Sequence, residues 1–362
     1  MVQVNSRRSV LPDLSRFRTE ESLYSPQCLR SHSFRQGITC RKCPACRQSM
    51  LSIFAHLKDK RVMESFAAHD LCGLMPHAAQ YQAEVISQRE LAYQTYSIQI
   101  ACPEVARLIV PGQFFMIRPA RGTDPLLGRP FALYDTILND QQQPVAFEFA
   151  YHVIGKMTSL MKTWTAGTPV EIWGPLGNGF PIFPGQHLLC VGGGIGYTPF
   201  LAAIRSALGL RAYGTRQAAA SPPPRVSFCY GVQSRRHRAD LTDFNDFSGM
   251  RTYITTDDGS EGRRGFVTTV VDELLQASGV DRPDGVFCCG PEPMMHAVAR
   301  ICQAAGVACW LSLETPMACG FGACFSCVTR VRDASSADGW DYRRTCVEGP
   351  VFKADQLVLC QL

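Results

Sequence analysis

The chain has 362 residues, of which 46% are hydrophobic and 19% charged, and its formal net charge is +5. That length suits two or three domains at about 150 residues each, with a composition ordinary for a globular protein. The mild charge forms no long basic stripe, which argues against nucleic acid as a partner, and no apolar run reaches the about 18 residues of a membrane-spanning helix.

Residues 1–18 alternate basic and polar side chains without the apolar core of a signal peptide, so a cytoplasmic location is expected. In a reducing compartment, clustered cysteines read as metal ligands and scattered ones as small buried hydrophobes. Residues 1–80 are an N-terminal extension of unknown function. Within it Cys40, Cys43 and Cys46 form C-x2-C-x2-C, with Cys28 upstream and Cys72 and His77 downstream. A small zinc or iron–sulfur site is one reading, because C-x2-C pairs chelate metals. Incidental cysteines in a partly disordered extension are the other, and translation from Met63 or Met75 is a third. Residues 51–66 read as a short helix.

From Gln82 the texture becomes alternating and β-rich. Residues 93–100, 113–118, 146–153 and 169–173 read as strands separated by Gly/Pro turns, which suggests a small antiparallel barrel over 81–182. A short helix is expected over 156–164. The apolar run Leu188–Val191 then enters Gly192-Gly-Gly-Ile-Gly196, followed by an apolar helix over 197–208. Strand, glycine turn and helix together make a phosphate-cradling unit, since glycines admit close backbone approach and the helix start supplies N–H groups. Strands at 225–230, 252–255 and 285–289 alternate with helices expected at 238–244, 268–278 and 292–305. That alternation predicts a parallel sheet with crossover helices over 183–310.

The last segment, 311–362, carries Cys319, Cys324 and Cys327 in C-x4-C-x2-C, answered by Cys346. This is the plant-type spacing for a [2Fe–2S] cluster. Gly320 and Gly322 fit it, because a loop wrapping a cluster needs positive φ and close approach of backbone N–H groups to sulfur. Four structural or disulfide-bonded cysteines are the alternative.

Together the motifs resemble the ferredoxin–NADP reductase superfamily, and more narrowly the iron–sulfur electron-transfer subunits of class 1B dihydroorotate dehydrogenases. Arg129-Pro-Phe-Ala-Leu-Tyr134 looks like that family's Arg-Pro-x-Ser flavin motif, and Tyr151-His-Val-Ile-Gly-Lys-Met-Thr158 like its Gly-x-Gly-Thr diphosphate motif. Gly192–Pro199 and Cys289-Gly-Pro-Glu-Pro-Met294 look like its nicotinamide-side stretches. The cysteine loop with Cys346–Phe352 is the most specific part, and the likeness covers Gln82 to the C-terminus.

The resemblance implies an α+β multidomain chain: an FAD-binding antiparallel β-barrel, an NAD-binding α/β domain with a parallel sheet, and a small [2Fe–2S] domain. It implies that Arg129, Pro130, Phe131, Ala132, Gly155, Met157 and Thr158 hold FAD. Tyr151 and His152 either line the FAD or are a core tyrosine and an exposed histidine. Gly193, Gly194, Gly196, Gly290 and Pro291 would face the nicotinamide nucleotide; Cys289 either contacts the ring or is a small buried residue. Cys319, Cys324, Cys327 and Cys346 would ligate the cluster. No acid–base catalytic residue is expected.

Two residues depart from the family pattern. Ala132 stands where a Ser or Thr hydroxyl would serve the flavin, and Met157 replaces the second glycine of the diphosphate motif. The implied partner is an FMN-containing dihydroorotate dehydrogenase catalytic subunit, in a heterotetramer with two of each chain, acting in pyrimidine synthesis with NADH as the other end. Ser234, Arg235 and Arg236 leave NADPH open, with a solvated basic turn as the alternative. A reductase subunit of a sulfide dehydrogenase, transhydrogenase or hydrogenase is the nearest rival, and a non-enzymatic iron–sulfur protein with a decayed FAD site is the more distant one.

Overall fold

A computed structural model of the chain describes residues 78–215, 225–245 and 247–359. Cys28, Cys40, Cys43, Cys46, Cys72, His77 and the helix expected over 51–66 lie outside the described residues.

The first sheet is antiparallel throughout. Its strands are β1 (Ala79–Ala92), β2 (Thr95–Ala101), β3 (Phe114–Pro119), β4 (Arg129–Ala132), β5 (Asp135–Leu138), β6 (Pro144–His152) and β7 (Pro169–Leu176), with short helices α1 (Pro103–Leu108) and α2 (Lys156–Met161) between them. They lie side by side as β4-β3-β7-β1-β2-β6-β5. The two end strands, β4 and β5, are consecutive in the chain. Between them Leu133 N–H donates to the Gln113 carbonyl of the β3 side and Tyr134 N–H to Glu148 on β6, so the sheet curls back on itself.

Period-two alternation decides which face each residue takes. Phe115 and Ile117 point into the barrel with Ile98, Phe147, Phe149 and Ile172, whereas Phe114 and Met116 point outward into a second apolar cluster. That outer cluster also contains Leu176, Cys327 and Cys346.

The second sheet contains β8 (His187–Gly193), β9 (Arg225–Val232), β10 (Met250–Thr256), β11 (Arg263–Arg264), β12 (Gly285–Cys289), β13 (Ala308–Ser312) and β16 (Val351–Lys353), in the order β11-β10-β9-β8-β12-β13-β16. Every pairing is parallel except β13 with β16. Helices α3 (Phe200–Ala207), α4 (Val267–Gln276) and α5 (Glu292–Ala305) connect these strands. Strand β8 is buried at every residue, which explains its unbroken apolar run. From β8 the chain steps one way to β9 and β10, then returns to place β12 and β13 on the other side. The order therefore reverses between β8 and β12, where an open α/β sheet forms its ligand crevice. The remaining pair, β14 (Val328–Arg332) and β15 (Trp340–Arg344), is a separate antiparallel hairpin.

One expected element is absent. Residues 238–244 form no α-helix; one 3₁₀ turn, Arg235–His237, ends just before the stretch and a second, Thr242–Phe244, closes it. Asp240 is the reason: its Oδ1 accepts from both the N–H and the hydroxyl of Thr242, an Asx turn that competes with helical bonding. Its own N–H donates to Leu91 on β1.

The two sheets are joined by ion pairs whose carboxylates on the first sheet, Asp135 and Glu148, are buried. Asp135 on β5 takes Arg205 of α3 and Arg211 on one oxygen, and the Tyr213 hydroxyl, at 2.6 Å, on the other. Arg89 on β1 bridges Glu148 on β6 and Asp243, and the Tyr134 hydroxyl donates to the same Asp243 oxygen at 2.9 Å.

Candidate functional site

The cluster loop is held between β7 and the β14–β15 hairpin. Gly320 and Gly322 have φ of +79° and +95°, the positive values their positions required. Phe325 also has positive φ, +57°, which is unusual for a bulky residue and marks a tightly determined turn between Cys324 and Cys327. Its exposed ring is covered by the Arg344 guanidinium, 5.2 Å away. Arg344 also donates to the Gly322 carbonyl and pairs with Glu348, while Thr345 N–H donates to the Cys327 carbonyl at 2.8 Å. The distant fourth cysteine is thereby brought beneath the loop.

The four thiols share one neighbourhood. Cys319 acts on the titration of Cys324, and both Cys327 and Cys319 act on that of Cys346. Among the described residues no three His, Cys, Asp or Glu side chains gather as ligands of a single ion. Four thiols gathered on one loop and its neighbour suit a two-iron cluster, in which each iron takes two protein sulfurs.

Hydrogen bonds from the Ser326 hydroxyl and N–H draw the exposed Cys324 thiol down to about 6, so it is largely thiolate at neutral pH. Burial pushes the Cys346 thiol up, and its neighbour Cys327 adds to the rise. An opposing bond comes from the Gly322 N–H to the Cys346 sulfur, the close backbone approach that a glycine permits. The donors fit an iron–sulfur cluster.

The residues expected to hold FAD occupy β4 and the start of α2. Arg129 turns its guanidinium toward the carbonyls of Leu127 and Gly128 and has no carboxylate partner among the described residues. Pro130 and Ala132 are register partners of Met116 and Phe114. They therefore share the outer face of the sheet, the one that carries the cluster loop. Phe131 takes the opposite face, against Phe149 and Tyr151.

Met157 is 2% exposed and packs in the barrel core, so its side chain takes no space on the outer surface of the turn. Thr158 caps its own helix: its hydroxyl oxygen accepts from the N–H groups of Ile154 and Gly155 and donates to the Gly155 carbonyl. The N–H groups of Lys156, Met157 and Thr158 are left without intrahelical acceptors and are the ones free for an anion. Tyr151 is buried in the barrel with its hydroxyl donating to Gln88 at 2.7 Å. His152 is half-buried, 3.0 Å from the Thr95 hydroxyl, and lines a cavity; burial, with His237 nearby, holds its imidazole below the ordinary value.

That cavity, about 530 Å³, opens over the carboxyl ends of β8 and β9 and the turn after β12, and so takes in the β8–β12 junction where strand order reverses. Gly193, Gly194 and Ile195 form one side, Pro291, Pro293 and Met294 another, and Gly231–Gln233, Asp257 and Phe266–Thr268 a third. Gly196 is not part of the lining; it lets the two loops touch. A Cβ there would lie 2.4 Å from the Cys289 carbonyl oxygen and 2.6 Å from the Gly290 Cα. Gly290 has φ +151°, and Cys289 packs against the core with burial pushing its thiol up to about 12. Tyr197, fully buried, reaches the cavity wall, and its hydroxyl has no hydrogen-bond partner among the described residues. Tyr197 and Asp257 are site residues that the motifs did not single out. Asp257 had a signal, an acidic residue just past a strand of the parallel sheet; Tyr197 fell within the Gly192–Pro199 stretch and the apolar helix without being named for itself.

The iron–sulfur cluster binding domain of dihydroorotate dehydrogenase B matches residues 314–358. The dihydroorotate dehydrogenase B (NAD(+)) electron transfer subunit of Geobacillus thermodenitrificans is 36% identical over 281 residues, covering 76% of this chain and 97% of its own. The chain belongs to the dihydroorotate dehydrogenase B electron transfer subunits. A second member of that family, from Caldanaerobacter subterraneus, is 33% identical over 76% of this chain and 98% of its own. Among solved structures, the NADH-dependent reduced ferredoxin–NADP oxidoreductase aligns with a TM-score of 0.62 at 24% identity, over 76% of this chain and 89% of that one. The ferredoxin reductase of carbazole 1,9a-dioxygenase aligns with a TM-score of 0.52 at 22% identity, over 64% and 67%. These two establish the ferredoxin-reductase fold: an antiparallel sheet, then a parallel one.

Proposed function

We propose that the chain passes electrons between NADH and a dihydroorotate dehydrogenase catalytic subunit, by way of FAD and a [2Fe–2S] cluster, in pyrimidine synthesis. The observation that carries this reading is the shared face: the thiols of the cluster loop and the outward residues of the flavin motif, Pro130 and Ala132, lie on one side of one sheet. A two-electron cofactor and a one-electron cofactor held on the same face suit a converter between hydride and single-electron chemistry.

In this reading residues 81–182 bind FAD, 183–310 bind the nucleotide and 311–362 hold the cluster. Arg129 neutralises the FAD diphosphate, with the free N–H groups of residues 156–158 as further donors. Gly193, Gly194, Gly290 and Pro291 keep the crevice floor flat for the nicotinamide nucleotide. Cys319, Cys324, Cys327 and Cys346 ligate the cluster. Bound FAD supplies hydride exchange and a bound cluster supplies single-electron transfer; the protein's part is position and electrostatics.

NADH is favoured over NADPH by what surrounds the basic turn. The Arg236 guanidinium lies 3.4 Å from the centroid of the Tyr93 ring, Ser234 is engaged with His237, and the Asp257 carboxylate would repel a 2′-phosphate. The partner is the FMN-containing catalytic subunit, two copies of each chain forming the complex in the cytoplasm. Among the described residues no helix is long and apolar enough to cross a membrane.

Anaerobic purification, an absorbance spectrum, an iron count and a titration with NADH test the reading together. One FAD and one two-iron cluster per chain, each reduced by NADH and the cluster by a single electron, are the expected result. The Cys324→Ser variant should lose the cluster and keep NADH-dependent reduction of FAD. Copurification with a hydrogenase or sulfide dehydrogenase subunit in place of the FMN subunit would overturn the choice of partner.

A further inference from the structure

Strand β3 lies between β4, which carries the flavin motif, and β7, which carries Trp173. Met116 is the register partner of Pro130 on one side and of Trp173 on the other, so Pro130, Met116 and Trp173 form one row across the outer face. From its end of the row, the Trp173 indole N–H donates to the carbonyl of Cys319 at 2.7 Å. A half-buried indole N–H needs an acceptor, and here the acceptor is the backbone of the first cluster cysteine.

The same ring reaches back over β3 to the residue preceding Arg129. A Cβ on Gly128 would lie 2.4 Å from the far edge of the indole, so only glycine lets that turn rest on the ring. On the cluster side the fit is equally tight: a Cβ on Gly320 would lie 2.5 Å from the Met116 side chain. One tryptophan therefore touches the turn that delivers Arg129 and is bonded to the loop that begins with Cys319. Its orientation is fixed further by Arg118, whose guanidinium stands 6.0 Å from the ring and is ion-paired with Glu171 on the same strand.

We propose that Trp173 is a positioning residue that locks the cluster loop to the flavin-motif turn, so that a displacement at Gly128 is felt at Cys319. This rests on the functional reading above, in that the two motifs hold FAD and a [2Fe–2S] cluster. The Trp173–Cys319 bond reaches the backbone of the first cluster cysteine and not its sulfur, so its effect on the cluster comes through the position of the loop.

The test uses the full chain in three forms: wild type, Trp173→Phe, which keeps an aromatic ring and deletes the donor, and Gly128→Ala, which pushes the ring from the flavin side. The cluster is reduced chemically with dithionite, so that neither NADH nor FAD turnover enters the readout. Its electron paramagnetic resonance spectrum, its midpoint potential and its half-life against an iron chelator are then compared. Trp173→Phe should shorten the half-life and shift both spectrum and potential. Gly128→Ala should shift the cluster spectrum although it alters the chain beside the flavin motif.

Wild-type spectrum, potential and half-life in Trp173→Phe would overturn the proposal. Should that variant fail to fold, an unchanged cluster spectrum in Gly128→Ala would overturn it alone. A wild type lacking FAD or the two irons would instead defeat the functional reading, so the two failures are distinguishable.

Discussion

Asp135 on β5 is gripped by Arg205 on α3, which ties the antiparallel sheet to the first crossover helix of the parallel one. The carboxylate is buried and shares its oxygens with Arg211 and Tyr213. Removing the carboxylate takes a charged acceptor from both arginines and from Tyr213, although Arg211 keeps the Thr136 carbonyl, at a cost of about 1.5–3 kcal/mol. Asp135→Ala should lower the unfolding free energy by that amount and with it the urea midpoint. An unfolding midpoint equal to wild type would show that the clamp contributes nothing.

Arg129 has carbonyl partners only, which leaves its charge uncompensated among the described residues. Hydrogen bonds to charged groups contribute about 1.5–3 kcal/mol, or about tenfold to a hundredfold in binding. Arg129→Gln should weaken FAD binding within that range, measured by fluorescence titration of the flavin-free protein. Arg129→Lys should recover part of the loss, because the charge returns without the planar fork.

Gly196 allows the glycine turn and the Cys289–Gly290 turn to meet. Gly196→Ala would drive a methyl group into the Cys289 carbonyl, 2.4 Å away, and backbone cannot give way as a flexible side chain can. Overpacking of this kind costs about 1–3 kcal/mol. The expected outcome is a raised KM for NADH together with lower stability, while direct FAD titration is unaffected.

His187 opens β8 with its Nε2 2.9 Å from the Ser227 hydroxyl. Burial, aided by Arg225, lowers its pKa in the folded chain below the ordinary 6.5, with Asp284 opposing. The unfolded chain therefore binds the proton more readily. The contribution of neutral His187 is complete above about 6.5 and is lost as pH falls. Urea midpoints measured from pH 7.5 to 5.5 should decline, and His187→Gln should flatten part of that decline. A variant with the same slope as wild type would remove His187 as the cause.

Much of this architecture was legible because each segment declared its period. Phe115 and Ile117 alternate with Phe114 and Met116, and Leu188–Val191 runs apolar without a break, as an all-buried parallel strand must. The cysteine spacing and the φ requirements of Gly320 and Gly322 were equally local. What stayed hidden depended on partners far along the chain. Residues 238–244 have helical texture, but Asp240 is drawn to Thr242 and Leu91 instead. Thr158 reads as a phosphate ligand until its hydroxyl is found capping its own helix. Trp173 reads as one more strand residue, and its contact with Cys319 spans 146 positions of sequence.

Strand β16, which follows Cys346, pairs antiparallel with β13 and closes that margin of the parallel sheet. Leu313 N–H donates to the Pro350 carbonyl beside it. The iron-binding end of the chain is thus no detachable cassette. Excising it would strip β13 of its neighbour and expose a hydrogen-bonding edge, the kind of surface on which chains stack and precipitate. A gene fusion that swapped in another ferredoxin at residue 313 would have to bring its own strand to cover that seam.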